Sequence, residues 1–241
     1  MITPTYEKEY ALRASDFDCY ERLRPCAVLE LFQDAAGDHG EWLGVGFEAM
    51  LKRGLLWVLV RIRYQVLRQP DYAQTVRMKT WPLPPAGVSF QREYRIESTN
   101  GDLLIVGSSE WVFMDVNTRR LAAARDAYPL SDGEFCTDRV FEGRMKKLRE
   151  FEPQGQPFTV CPGFSDLDRN LHVNNTRYAN YVMDAVCPAQ QEEIKVFQID
   201  YRHEVQRGMQ LHLVTLRTDG EIQIAGKNEQ DETMFLCKLE F

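Results

Sequence analysis

Three polar side chains that could take part in acid–base chemistry or orient its reactants alternate along the stretch SDLDRNLHVNNTRYANYVMDA, residues 165–185. They are Asp168, Asn170 and His172. Alternate side chains of an extended segment point to the same face, so these three would lie together. Imidazole exchanges a proton near neutral pH, and a carboxylate can take a proton from water or orient the imidazole. The spacing therefore indicates acid–base chemistry, although on these residues alone the commoner interpretation is capping and turn structure before a helix.

The same frame occurs earlier in the chain, in SDFDCYERLRPCAVLELFQDA at residues 15–35, so that SDFD lies 150 residues before SDLD. At the three alternating positions this first copy has Asp18, Tyr20 and Arg22. An internal repeat of this kind predicts two copies of one structural unit. The amide and the imidazole are confined to the second copy, which makes it the candidate for chemistry.

Each copy continues into an amphipathic helix and then into several strands. Apolar residues follow both motifs at helical spacing, with Pro25 suited to the first helical position after an Arg24 N-cap and Asn174 as the second N-cap. Alternating segments rich in β-branched and aromatic residues come next, and Asn100-Gly101 predicts a type I′ hairpin turn. The predicted fold class is α+β, with one helix and an antiparallel sheet in each unit. We expect domains at 1–130 and 157–241, and a polar linker at 131–156 with one turn or short helix around 141–149.

Bulk composition narrows the class of protein. The chain has 241 residues and a formal charge of -7, which argues against a nucleic-acid-binding protein. No apolar run approaches the ~20 residues that span a bilayer, and the first residues resemble neither a signal nor a transit peptide. The six cysteines form no C-x-x-C pair, and no histidine has metal-ligand spacing. We expect a cytoplasmic protein with no metal, no cofactor and no membrane contact.

Longer motifs around these residues resemble the acyl-[acyl-carrier-protein] thioesterases of plant plastids and bacteria. The second copy contains D-L-D-x-N-x-H-V-N-N-x-x-Y at 166–178 and Y-R-x-E at 201–204. The first half matches in GLLWVLVRIRYQVLRQP at 54–70 and SSEWVFMDVNTRRL at 108–121. The resemblance implies two tandem hot-dog domains, each a sheet wrapped around one long helix. It also implies an enzyme that hydrolyses the thioester of a fatty acyl chain on acyl carrier protein and releases the free acid.

The resemblance adds Glu204, which matches a glutamate that the family uses. We expect Glu204 and His172 to handle the proton, with Asn170 orienting water or substrate and Asp168 fixing the other two; which of the pair is the base stays open. Many plant members have a cysteine after this glutamate, whereas this chain has Val205. Valine cannot act as a nucleophile, so water would attack directly.

Two further parts of the site can be predicted. The backbone N–H groups of Val173, Asn174 and Asn175, at the start of the second helix, are candidates for an oxyanion site. An apolar channel for the acyl chain would come from the first copy, because Leu67 stands there where the second copy has Glu204. The channel residues that we predict are Val28, Leu31, Phe32 and Trp57.

Other functions keep the same fold. An acyl-CoA thioesterase would need a compact basic pocket, and a hot-dog dehydratase or an acyl-binding module would not need the full polar set. Acyl carrier protein is acidic, so docking would require a local basic patch. The densest basic cluster lies in the linker, and the alternative interpretation is a solvated helix face. Its residues are Arg139, Arg144, Lys146, Lys147 and Arg149. The quaternary state is open, with a homodimer among the options.

Overall fold

The computed structural model describes residues 3–123, 127–131 and 133–241. The first half has β1 (Tyr6–Ala11), α1 (Pro25–Trp42), α2 (Phe47–Lys52), β2 (Leu55–Val66), β3 (Thr75–Pro82), β4 (Ser89–Ser98), β5 (Leu103–Asp115) and β6 (Leu121–Ala122). The second half has β7 (Gln154–Val160), α3 (Arg177–Val186), β8 (Val196–Tyr201), β9 (Leu211–Thr218), β10 (Glu221–Lys227) and β11 (Thr233–Glu240). No helix in the described ranges has both the length and the apolar composition needed to cross a bilayer.

The strands form one antiparallel sheet of 11 strands in the order β1-β3-β4-β5-β2-β8-β11-β10-β9-β7, with β6 paired to β5. Strands β2 and β8 join the two halves, and Ile62 lies opposite Ile199. These two isoleucines occupy equivalent places in the repeat. An antiparallel pair in which equivalent residues face each other has a local two-fold axis, and the strand order on the two sides follows the same symmetry. The predicted α+β fold, with a sheet wrapped around one long helix in each half, is confirmed.

One continuous core lies between the sheet and the two long helices. Val28, Phe32, Ala35 and His39 lie along one face of α1, and each has at most 1% of its surface exposed. The ring of Phe32 stacks on Tyr94 with centroids 4.3 Å apart. It lies so close to β5 that a Cβ atom on Gly107 would be 2.2 Å from the Phe32 ring. A side chain at this position would collide with the buried Phe32 ring, which favours glycine here.

Residues 141–149 form no helix; the chain bends at 140–143, where Gly143 has a left-handed φ of 72°, and then continues as an irregular strap along the sheet. Its backbone is bound by buried polar side chains of the sheet. Val140 N–H donates to Glu93 Oε2 (2.8 Å), and Leu148 N–H donates to Asp200 Oδ2 (2.9 Å). These bonds satisfy two buried carboxylates and hold the strap against the strands, which explains why it is not helical. Strand β7 begins at Gln154, inside the segment predicted to be linker.

Two local predictions at element ends are wrong. Helix α3 begins at Arg177 with Thr176 as its N-cap, because residues 174–176 form a turn first; the Asn174 side chain accepts the Thr176 N–H at 2.9 Å.

A type I′ turn needs positive φ at both central residues. Only Gly101 (φ 90°) has it at Asn100-Gly101, and its N–H donates to the Ser98 carbonyl. The β4–β5 connection is consequently a turn ending in a left-handed glycine.

Candidate active site

A tight turn presents Asn170 and His172, and Asp168 builds that turn. Asp168 Oδ1 accepts the backbone N–H of Asn170 at 2.7 Å and of His172 at 3.3 Å. Its Oδ2 lies 3.4 Å from the Asn170 amide nitrogen. Leu171, between them, has a left-handed φ of 64° and is exposed. The carboxylate therefore fixes both the backbone and the position of the side-chain amide.

The first copy has the same turn with other side chains. Asp18 Oδ1 accepts the N–H groups of Tyr20 (2.8 Å) and Arg22 (2.9 Å), and Glu21 has a φ of 59°. Asp16 and Asp166 each accept a backbone N–H from three residues upstream at 2.7 Å. The aspartates thus build the turn in both copies, and the difference between the copies lies in the side chains they present.

Glu204 reaches this turn from the segment that follows β8. The Val173 N–H donates to the Val205 carbonyl (2.8 Å), and His172 bridges to Gln206. This short antiparallel pairing places His172 Nε2 at 3.4 Å from Glu204 Oε2. The His172 side chain is 26% exposed and that of Glu204 39%, so both are accessible to water and substrate. The structure brings these two predicted residues together.

A residue that sequence reasoning missed completes the pair. Arg119, in the turn after β5, donates from Nη2 to the same Oε2 atom of Glu204 at 2.8 Å. Arg119 lies in the first half of the chain, 85 residues away from Glu204. Its place within the SSEWVFMDVNTRRL segment gave no sign of this contact, because a turn arginine carries no pattern that names its partner.

The first half contacts the turn at a second point through α2. The Arg169 guanidinium lies 3.3 Å from the centroid of the Phe47 ring and within 4.0 Å of Glu48 Oε1. Helix α2 occupies the extra segment that only the first copy contains. The turn that carries His172 is accordingly bounded by elements of both halves.

The oxyanion prediction is wrong for two of its three residues. The N–H of Val173 donates to Val205, and the N–H of Asn174 donates to the Asp166 carbonyl at 2.8 Å. Both groups hold the turn together and cannot also bind an oxyanion. The N–H of Asn175 makes no hydrogen bond with any residue that the structure describes, while its carbonyl accepts the Tyr201 hydroxyl at 2.8 Å. Asn175 stays a candidate donor.

An apolar cleft runs from α1 to the start of α3. It encloses roughly 280 Å³, including open solvent at its mouth. Its walls include Leu29, Gln33, Leu59, Trp111, Asn175 and Tyr201. A second cleft contains Pro25, Tyr64 and Met183, the residues that the repeat relates to Asn175, Tyr201 and Gln33. The first cleft therefore belongs to the copy that carries His172, and the second to the copy that carries Arg22.

The predicted channel residues do not line either of these clefts. Val28 and Phe32 are buried in the core, and Leu31 packs against its edge. Trp57 belongs to a second apolar cluster and donates to the Val45 carbonyl at 2.8 Å. Its ring lies 6.3 Å from that of Trp111, so Trp57 stands behind the cleft wall. Helical periodicity identified the buried face of α1. The α1 residues that line the cleft are Leu29 and Gln33.

Burial decides the ionisation of the groups beneath the site. Burial raises the pKa of Tyr178, and the nearby carboxylates of Glu204 and Asp168 raise it further. Tyr178 is a neutral core residue with its ring edge-on to Phe235. Burial also raises the pKa of the Cys237 thiol, and Val205 is fully buried. Within the described part of the chain, no group of three His, Cys, Asp or Glu side chains could hold a metal ion.

The predicted basic cluster lies on the strap. Arg139, Arg144, Lys146, Lys147 and Arg149 are all exposed, while Met145 and Leu148 between them are half-buried. Met145 and Leu148, three residues apart, face the sheet, and the charged residues around them face solvent. The strap therefore presents a row of positive charge to solvent.

Comparison with known proteins identifies the family. Models of the acyl-ACP thioesterase N-terminal and C-terminal domains match residues 3–129 and 152–240. A chloroplastic acyl-[acyl-carrier-protein] hydrolase of Cuphea viscosissima is 25% identical over 87% of this chain, and the match covers 54% of that protein. A chloroplastic dodecanoyl-[acyl-carrier-protein] hydrolase of Umbellularia californica is 27% identical over 89% of this chain and is covered to 60%. The chain thus spans a little over half the length of these relatives.

Solved structures agree on the fold. An acyl-ACP thioesterase from Bacteroides thetaiotaomicron superposes with a TM-score of 0.86 at 20% identity, over 98% of this chain and 97% of that one. A 12:0-ACP thioesterase from Umbellularia californica gives 0.84 at 24% identity, over 98% and 96%. Because the two family models together match most of the sequence, this chain belongs to the acyl-ACP thioesterase family.

Proposed function

We propose that this protein hydrolyses the thioester of a fatty acyl chain on acyl carrier protein and releases the free fatty acid. Family membership supports the reaction class. The observation that carries the proposal is the approach of His172 Nε2 to Glu204 Oε2, 3.4 Å, at a turn whose next residues wall an apolar cleft. Such a pair can move a proton, and the apolar wall beside it is our candidate surface for the alkyl chain.

The reaction consumes one water and forms no covalent bond between the enzyme and the acyl group. The water oxygen attacks the thioester carbonyl carbon while Glu204 or His172 takes its proton. The tetrahedral intermediate then expels the sulfur, which receives that proton, so the products are a carboxylic acid and the carrier thiol. Val205 is buried and has no nucleophilic atom, which supports direct attack by water.

The remaining polar groups have supporting roles. Asn170 can donate to the attacking water or to the substrate carbonyl, and Asp168 holds Asn170 and the His172 backbone in place. The N–H of Asn175 is our candidate donor to the developing oxyanion. The C-terminal domain, 157–241, would be catalytic, and the N-terminal domain, 1–130, would contribute the α1 wall of the acyl cleft.

The direct test offers purified protein the same acyl chain on acyl carrier protein and on CoA, and measures free thiol. We expect the higher kcat/KM on the carrier-protein substrate. Hydrolysis of the CoA ester alone would identify an acyl-CoA thioesterase. An acyl chain that stays bound without release of thiol would identify a binding protein instead.

Docking of the acidic carrier is proposed for the strap, at Arg144, Lys146 and Lys147, where positive side chains are exposed in a row. The double variant K146E/K147E should raise KM for the carrier-protein substrate several-fold and leave kcat unchanged. An acyl-N-acetylcysteamine thioester, which has no carrier, is the control substrate. An unchanged KM at low salt would remove the strap from docking. A cytoplasmic location and a homodimer stay predictions, to be tested by cell fractionation and light scattering.

A further inference from the structure

The turn that carries Arg119 is tightly constrained. Asp115 Oδ1 accepts the N–H of Asn117 (3.0 Å) and of Thr118 (2.8 Å), as well as the Thr118 hydroxyl (3.0 Å). The Arg119 N–H donates to the Asp115 carbonyl at 2.9 Å. The hydrogen bonds from Thr118 lower the pKa of Asp115, so the carboxylate stays charged and the turn stays closed. The hydrogen-bonded turn therefore holds the Arg119 backbone in a fixed position.

Arg119 itself has an unfavourable backbone conformation. Its φ of 57° lies in the left-handed region, which residues with a Cβ rarely adopt. Such a conformation persists only where surrounding contacts impose it, and it is commonest at functional sites. Here the Asp115 turn imposes it, and the result is a guanidinium that reaches a carboxylate of the other half of the molecule.

The geometry points to Arg119 as a positioning residue for the proposed hydrolysis, acting through Glu204. This inference rests on the proposed function. Glu204 Oε2 lies between the guanidinium at 2.8 Å and His172 Nε2 at 3.4 Å. With 39% of its surface exposed, the Glu204 side chain has other rotamers open to it in solvent. The charged hydrogen bond from Arg119 selects the rotamer that meets His172.

This role makes the first half part of the reaction centre. The turn of the second half supplies His172 and Asn170, and the first half supplies Arg119, which holds Glu204 beside His172. The centre is therefore incomplete in either half alone.

A rival role for the same guanidinium is recognition of the phosphate on the carrier's pantetheine arm. The two roles differ in what they do to a substrate without phosphate. Positioning of Glu204 affects kcat on every thioester, whereas phosphate recognition affects KM on the carrier substrate alone.

The experiment compares R119A and R119K with R120A, a matched change at the adjacent exposed arginine, on the carrier-protein substrate and on an acyl-N-acetylcysteamine thioester. We expect R119A to lower kcat roughly ten- to hundredfold on both substrates, with KM within twofold. R119K should recover part of that loss, and R120A should be near normal. In the E204A background, R119A should add little, because its effect passes through Glu204. Normal kcat in R119A, or a loss confined to KM on the carrier substrate, would overturn the inference.

A structural measurement separates this inference from the proposed function. In a crystal structure of R119A we expect Glu204 to have left its place beside His172. If Glu204 instead keeps the wild-type 3.4 Å contact, Arg119 does not position it, whatever the activity. If the wild-type protein cleaves no thioester, the proposed function fails, and the crystal structure still decides whether Arg119 holds the pair.

Discussion

The two copies of the SD-x-D turn share the same backbone conformation but present different side chains. Asp18 and Asp168 accept equivalent backbone N–H groups, and Glu21 and Leu171 share a left-handed φ. In the second copy the turn presents Asn170 and His172, and His172 contacts Glu204. In the first it presents Tyr20 and Arg22, and the Arg22 guanidinium stacks over the Tyr20 ring at 5.1 Å.

Arg22 reaches across to the other half of the molecule. Its Nη1 donates to the Glu192 carbonyl at 2.8 Å, and its Nη2 donates to the Gln190 carbonyl. The first copy thus uses for fastening the position that the second copy uses for the proposed chemistry. The comparison shows that the aspartates build the turn in both copies, while the copies differ in the side chains at the alternate positions.

The largest effect is expected from substitutions in the second copy alone. H172A and E204A should each lower kcat by two decades or more while the fold persists, since proton transfer contributes ~10²–10⁴-fold. The matched control is L67A, at the first-copy position that corresponds to Glu204. Steady-state turnover together with circular dichroism decides the matter. Near-normal turnover in a folded H172A or E204A protein would remove that residue from the mechanism.

A smaller effect tests the shared aspartates. D168A and D18A each remove the acceptor of two backbone N–H groups, so each should lower the free energy of unfolding by about 1 kcal/mol. Only D168A should also lower kcat, about tenfold or more, because it frees Asn170 and the His172 backbone. Thermal unfolding and turnover are measured on both variants. An equal loss of kcat in D18A would mean that the first turn also serves the reaction.

The repeat could be predicted further than the site could. Equivalent motifs, helical stripes and alternating strands are local patterns, so fold class and most element positions could be predicted from them. The start of α3 could not, because Asn174 first caps a separate turn at Thr176. The strap could not either, since its shape depends on Glu93 and Asp200, which come from distant strands.

Within the site, the limits of sequence reasoning have the same physical origin. The Val173 and Asn174 N–H groups are bonded to carbonyls that only the folded repeat brings near. Arg119 contacts Glu204 across the boundary between the halves, and one sequence contains no pattern that records such a contact. Residue types suggested a proton-transfer pair, which stays a prediction, whereas the hydrogen bonds around that pair required the structure.

The two related clefts allow a third, intermediate test. L29F should fill the cleft of the second copy and shift the released acids toward shorter chains. Each excluded methylene forfeits ~0.8 kcal/mol of burial, about fourfold in affinity. M183F, in the repeat-related second cleft, is the matched control and should leave the profile unchanged. Gas chromatography measures the lengths of the released acids. A shift caused by M183F alone would show that the acyl chain occupies the second cleft and not the first.

The smallest expected effect concerns the fastening role of the first copy. R22A removes two hydrogen bonds from a charged donor to the Glu192 and Gln190 carbonyls, in a partly exposed position where water competes. We expect a loss of about 1 kcal/mol, which lowers Tm by roughly 2–4 °C for a chain of this size. The kcat should stay within twofold, because Arg22 has no role in the proposed mechanism. R22K keeps the charge but cannot donate to both carbonyls from a planar fork, so it should recover less than half of the lost Tm. A fall in kcat at unchanged Tm would reverse this assignment and make the first turn part of the reaction.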